Sequence, residues 1–319
     1  MSSVDTADTA SVNEPRYATA SDYVQLMKPR IMMLVVFTAA AGLVVAPGNI
    51  HPVMAAIVLL AVALGSGAAG AINMWYDADI DAIMKRTSTR PIPAGLIPAE
   101  EALAFGLIMS GISVIIMGLA TNWFAAGLLA VSIVYYAVVY TMWLKRRTPH
   151  NIVIGGGAGA FPPVIGWAAV TGDATLDAWV LFAIIFFWTP PHFWALSLLA
   201  HGEYEKAGVP MLPVTHGAKV TRRHILAYSI LLAPLGLLPV LTGMGGWLYL
   251  IVAGGLGLAF LWLAIGVFRS KAGDADAPGA DNKRAKGLFA FSILYLFLVF
   301  AALIAEHGFG LFFPVLGAV

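Results

Sequence analysis

Asn73, Asp77 and Asp81 recur at intervals of four residues inside AINMWYDADIDAIMKRTSTRPIPAG, the segment from Ala71 to Gly95. On a helix each such step turns about 40° past a full circle and climbs ~6 Å, so the three oxygen-bearing side chains form one slanted stripe, with Asp79 pointing roughly the other way. Lys85 extends the stripe, and Arg86 and Arg90 follow where the helix is expected to stop before Pro91 and Pro93. Carboxylates and an amide oxygen among cations form a cage for a hard divalent ion bridging to a phosphorylated substrate. Mg²⁺ suits that task because its shell takes oxygen ligands, substrate phosphates and water. The same residues also fit a charged helix end at the lipid headgroups, with Asp81 and Lys85 as a surface pair. Ionisable groups next to an intramembrane helix normally face a cavity or a partner, which favours the cage.

The elements that must position this stripe are membrane helices. Of 319 residues, 60% are apolar and 11% charged, where a soluble domain carries roughly a quarter charged residues. A formal charge of +1 offers no basic excess for nucleic acid, and the absence of cysteine excludes disulfides, thiolate metal sites and a cysteine nucleophile. Residues 1–20 are polar and read as a disordered leader, leaving 21–319 as a single transmembrane domain. Apolar runs long enough to cross a bilayer, about 20 residues each, predict nine spans. Their limits are Ile31 to Ala46, Val53 to Trp75, Ala102 to Ala120, Trp123 to Leu144, Ile152 to Val170, Leu176 to Leu199, Ile225 to Leu241, Trp247 to Phe268 and Leu288 to Ala305. Under nine spans all 18 Lys and Arg residues fall on one side of the membrane, so the N-terminus is expected in the cytoplasm and the C-terminus opposite. The second-to-third and sixth-to-seventh connections, of about 25 residues, are expected as long loops on the cationic side. The eighth-to-ninth connection reads as a flexible linker.

The pattern Asn73-x3-Asp77-x3-Asp81 resembles the first diphosphate-binding motif of the UbiA superfamily of intramembrane prenyltransferases. More narrowly, NMWYDADIDAIMKRTSTRPIPAG is similar to the protohaem IX farnesyltransferase, or haem O synthase, family. So are LMKPRIMMLVVFTAAAG at Leu26 to Gly42, YTMWLKRRTPHNIVIGGGAGAFPPVIGW at Tyr140 to Trp167, WTPPHFWALSL at Trp188 to Leu198 and YEKAGVPMLPV at Tyr204 to Val214. The resemblance covers nearly all of the chain beyond the leader. It implies an all-α bundle of nine transmembrane helices around an apolar cavity, in a bacterial inner membrane. The implied reaction joins the farnesyl group of farnesyl diphosphate to the 2-vinyl group of haem B, with addition of water, giving haem O and diphosphate for a downstream haem O-modifying enzyme.

Within that resemblance, Asn73, Asp77 and Asp81 would hold Mg²⁺, and Asp77, Asp81, Lys85 and Arg86 would act on the leaving diphosphate with Arg30 and Arg90 nearby. The family's second acidic motif follows span six; here HGEYEKAG carries Glu203 and Glu205 where adjacent aspartates are usual, with Gly202 in place of one of them. Glu203, Tyr204 and Lys206 are therefore expected around diphosphate or water, although a solvated loop also accommodates Glu205 and Lys206. His192 is the histidine inside an apolar span, beside Pro190 and Pro191 and between Trp188 and Trp194. Imidazole is a standard axial ligand of haem iron, so His192, Trp188 and Trp194 are expected at the haem; a packing histidine at the proline pair is the alternative. His150 and His201 are secondary candidates. Two rival functions remain: a related prenyltransferase with another aromatic or quinone-precursor acceptor, and a transporter. No inverted repeat is visible, and the polar residues collect at one membrane face, which disfavours the transporter.

Overall fold

The computed structural model describes residues 18–274, 277 and 279–315. The leader expected over 1–20 thus lies outside the described residues up to 17, and its end is corrected: Ala20 already opens the first helix, and Ala18 packs against the cluster of Leu26, Ala71, Met74 and Ile97. In chain order the helices are α1 (Ala20–Leu26), α2 (Pro29–Val45), α3 (Pro52–Tyr76), α4 (Ala78–Ile83), α5 (Ala99–Ala120) and α6 (Trp123–Val134), the last continued by a π-helical stretch, Tyr135–Leu144. There follow α7 (Asn151–Thr171), α8 (Leu176–Leu199), α9 (His201–Lys206), α10 (Leu212–Leu235), α11 (Leu238–Leu241), α12 (Trp247–Phe268) and α13 (Asn282–Gly308). Among the described residues there is no strand.

Among the described residues eight helical spans are long and apolar enough to cross a membrane, or nine when the bent pair α1 and α2, at the position of the first expected span, counts as one. Pro29 explains the bend. A residue before proline is pushed out of the right-handed helical region, and Lys28 takes φ 55°, ψ 59°, turning the chain by 59°. Sequential spans pack side by side, and α13 returns against α2 to close the circuit. Exposed apolar side chains such as Leu119, Leu258 and Ile251 face outward.

The most buried span is α7, whose glycines let its neighbours approach as small residues do between membrane helices. A Cβ on Gly42 of α2 would lie 2.0 Å from the carbonyl oxygen of Pro163, and one on Gly166 would lie 2.1 Å from that of Ala39. Backbone touches backbone there, so no side-chain movement could make room.

The two long loops are corrected. After span two the chain forms α4 and a series of turns before α5, and after span six α9 is followed by α10, which starts at Leu212 instead of near Ile225. Pro213 in the first turn suits that start, and Gly217, at φ 80°, lets the helix kink. Arg222, expected on a solvated loop, is buried, donating to the Ala272 carbonyl at 2.6 Å and to Asp274 at 2.8 Å. The start of the α12–α13 connection is therefore pinned to α10.

Replacing Gly166 or Gly42 by valine is expected to destabilise the bundle by about 1–3 kcal/mol or more, read as a lower thermal midpoint and yield in detergent. Gly159→Ala, on the same helix with open space around it, should leave both unchanged.

Candidate active site

The acidic stripe survives a break in its helix. α3 ends at Tyr76, and Asp77 sits at φ −95°, ψ 12° between α3 and α4. Backbone bonds from Asp77 N to Asn73 O at 3.0 Å and from Asp81 N to Asp77 O at 2.8 Å nevertheless carry the four-residue spacing through the junction. Asn73, Asp77 and Asp81 are all buried, whereas the Asp79 side chain is 64% exposed, as the helical geometry requires. The expected extension to Lys85 is corrected. Met84 is extended, the helix has ended, and Lys85 is exposed.

Of the cations that meet the stripe, Arg90 is the one the segment itself supplies, and the others come from elsewhere in the chain. Lys145 Nζ and Asn73 Nδ2 both donate to Asp77 Oδ2, the latter at 2.7 Å, and Arg146 Nη2 stands 3.6 Å from Asp77 Oδ1. Lys28 Nζ donates to Asn73 Oδ1, and Arg90 pairs with Asp81 at 2.6 Å. Arg146 forks onto Asp79 at 2.7 and 2.8 Å and also donates to the Tyr76 carbonyl. That hydrogen-bonded guanidinium holds the Asp79 carboxyl below its ordinary range. Four cations thus face three carboxylates.

The π-helical stretch supplies two of these contacts. Its wider turn, marked by Thr141 Oγ1 donating to Tyr136 O five residues back, sets Thr141 to accept from Asn73 Nδ2 at 3.0 Å and is followed at once by Lys145. π-Helical turns occur frequently at functional sites for this kind of re-aiming. Neither they nor Lys28, Lys145 and Arg146 were singled out by sequence spacing. The signals that mark them are the segment Leu26 to Gly42, which contains Lys28, and the cation run Lys145–Arg147.

The second polar segment does reach the first. Tyr204 is buried in one cluster with Ile80, Met84, Ile152, Val209 and Met211, which brings α9 and α4 into the same apolar group. Burial pushes the Tyr204 hydroxyl up, against the pull of the neighbouring Arg86 guanidinium. Glu203 is half-buried beside it, but Lys206 is exposed, as is Arg30, and neither contacts the cluster.

His192 lies between the rings of Trp188 and Phe289, at centroid distances of 4.3 and 4.8 Å, and its Nδ1 is 2.6 Å from the Ser292 hydroxyl. Trp188 Nε1 donates to the Ser292 carbonyl at 2.7 Å. Both imidazole faces and one nitrogen are therefore engaged, leaving the Nε2 edge. Trp194 does not join this group: it is fully buried on another face of α8, edge-on to His224 and Tyr228.

Chemically, the cluster surrounds its carboxylates with basic groups and leaves Asp77 Oδ1 and Arg146 Nε buried without a hydrogen bond. Among the described residues no three His, Cys, Asp or Glu side chains converge on one point. A divalent ion at Asp77 and Asp81 would draw its remaining ligands from an incoming polyanion, the usual arrangement for Mg²⁺ with phosphates. In this arrangement Asn73 orients Asp77, its own carbonyl being taken by Lys28.

Residues 34–293 match the UbiA prenyltransferase family. The chain belongs to that family. It is 70% identical over 314 residues to the Protoheme IX farnesyltransferase of Hyphomonas neptunium, covering 97% of this chain and 99% of that one. It is 58% identical over 316 residues to the protein of the same name from a Caulobacter species, covering 93% and 92%. Among solved structures, the UbiA homologue of Archaeoglobus fulgidus bound to DMAPP and Mg²⁺ superposes with a TM-score of 0.63 at 18% identity, over 88% of this chain and 99% of that one. The apo UbiA homologue of Aeropyrum pernix gives 0.69 at 20% identity, over 87% and 98%. These structures share the fold.

Removing Lys145 leaves the buried Asp77 carboxylate short of its closest cation, so Lys145→Met is expected to cost about 3 kcal/mol of stability. Asp79→Asn, at an exposed pair, should cost no more than about 1 kcal/mol. Chemical denaturation in detergent separates the two.

Proposed function

We propose that this UbiA-family membrane protein transfers the farnesyl group of farnesyl diphosphate to the 2-vinyl group of haem B, with addition of water, to give haem O and diphosphate. The observation that carries the transferase chemistry is the cluster around Asp77, a buried carboxylate ringed by basic side chains with one of its oxygens left unbonded. The 70% identical relative named Protoheme IX farnesyltransferase supports haem as the acceptor.

Asp77 and Asp81 would hold Mg²⁺, which neutralises the diphosphate and strengthens it as a leaving group. Arg90, Lys145 and Arg146 already pair with the aspartates and Lys28 with the Asn73 amide oxygen, and they would reorient toward phosphate oxygens as the allylic C–O bond breaks and the electron pair leaves with diphosphate. The vinyl group then attacks the allylic carbon. Water adds to the resulting porphyrin-side cation and loses a proton. Tyr136 and Tyr140, their rings tilted against each other with centroids 5.5 Å apart on the π-helical stretch next to this cluster, give the site a wall that excludes bulk water.

His192 is the proposed contact to haem iron. Ser292 fixes its Nδ1, as a partner on the far nitrogen fixes most metal-binding imidazoles, and the free Nε2 edge would face the iron. The segregation of cations supports a cytoplasmic N-terminus, a C-terminus on the opposite side and an inner-membrane location. A haem O-modifying enzyme would receive the product.

The test is to incubate membranes containing the chain with haem B, Mg²⁺ and prenyl diphosphates of several lengths, and to weigh the extracted haems. A product heavier than haem B by one farnesyl group and one hydroxyl is expected, with loss on the order of 100-fold in Asp77→Asn and Asp81→Asn and only a few-fold in Asp79→Asn. Equal losses in all three would contradict the stripe, and prenylation of a quinone precursor instead of haem would overturn the acceptor. His192→Ala should raise the haem concentration needed without changing Mg²⁺-dependent farnesyl diphosphate binding; an unchanged haem dependence in a folded protein removes His192 from the site.

A further inference from the structure

The helices α12 and α13 pack along each other, yet at the end that carries the cations they part around a groove of about 560 Å³. Trp262 and Ile265 of α12 form its apolar wall, and Trp262 is 73% exposed on the outer surface of the bundle. Gly266 and Gly287 form its floor; a Cβ at either would meet nothing within 4 Å, so both face open space. At the mouth stand Arg269, Lys283 and Arg284. Arg284 is partly committed, donating to the Gly266 carbonyl at 3.1 Å and lying 3.8 Å from Asp281, whose other oxygen accepts from Lys271 N. Among the described residues Arg269 and Lys283 form no ion pair.

Positive charge at this face of the membrane serves to orient the chain, but orientation needs no groove beneath the charges. Here an apolar trough runs from the bilayer side up to a cationic mouth, with two bare glycines keeping it open. That shape fits an amphiphile with an anionic head and a hydrocarbon tail, and basic pockets between membrane helices bind such headgroups.

We propose that this groove binds an anionic diacyl phospholipid, its phosphate against Arg269, Lys283 and Arg284 and one acyl chain along Trp262 and Ile265 over Gly266 and Gly287. The lipid bridges α12 to α13, the helix whose Phe289 and Ser292 hold His192.

Native mass spectrometry of the full-length chain in detergent, titrated with phosphatidylglycerol and with phosphatidylcholine of the same acyl chains, tests this. Wild-type protein should bind phosphatidylglycerol about tenfold more tightly than phosphatidylcholine. Arg269→Gln combined with Lys283→Gln should abolish that preference. Gly287→Leu, with charge unchanged and room for its side chain, should weaken binding of both lipids several-fold, and thermal midpoints confirm that each variant is folded. Should Gly287→Leu fail to fold, the charge variant alone decides. Equal binding of the two lipids by wild type, or an undiminished preference in the charge variant, overturns the proposal. Complete displacement of phosphatidylglycerol by glycerol phosphate would also overturn it, making this a site for a free phosphate.

Discussion

A carboxylate with no exposed surface, at the end of a membrane helix, is an unfavourable object unless cations surround it. Asp77 is that object, and much of the local architecture follows from it. The kink before Pro29 aims Lys28 at Asn73, which in turn orients Asp77; the π-helical turn sets Thr141 and Lys145 against the same pair; Arg146 spans Asp77 and Asp79. Backbone irregularities at two separate places, Lys28 and the π-helical turn, converge on the Asn73–Asp77 pair. Such strain persists where the surroundings over-determine it, and it gathers at functional sites.

The rest of the bundle holds these pieces in place without a hydrophobic driving force of the aqueous kind. Within lipid, close packing through small residues supplies the association, and the mutual contacts of Gly42 with Pro163 and Gly166 with Ala39 lock α2, which follows Lys28, to α7, which follows Lys145. The glycine-rich sequence of α7, a poor helix in water, is thus what fixes the distance between the two lysine-bearing segments. On the opposite flank, the His192 sandwich ties α8 to α13, and the buried Arg222 ties α10 to the connection before α13.

Local spacing was the part of this molecule legible in its sequence. The i, i+4, i+8 pattern correctly separated Asp79 from Asn73, Asp77 and Asp81, and hydropathy located spans such as Leu176–Leu199 and Trp247–Phe268 to the residue. Partners distant in sequence were not legible. Lys85 and Arg86 stand next to the stripe on the chain, yet the helix ends at Ile83; the nearby Arg90 does pair with Asp81, and Lys28, Lys145 and Arg146 pair from 45 or more residues away. Trp194 was grouped with His192 by adjacency, but two residues on a helix turn the side chain to another face. After span six, Lys219, Arg222 and Arg223 are polar enough to mimic a loop, while Arg222 is buried by a partner at Asp274 and lies within α10.

The central claim is that Asp77 is a buried metal and diphosphate anchor held ready by cations. Electron paramagnetic resonance of Mn²⁺, titrated into the detergent-solubilised chain with a non-reactive farnesyl thiodiphosphate, tests it most directly. Tight, analogue-dependent Mn²⁺ binding by wild type and its loss in Asp77→Asn, with Asp79→Asn unchanged, is the predicted result. Mn²⁺ binding of equal strength in wild type and a folded Asp77→Asn protein would contradict it.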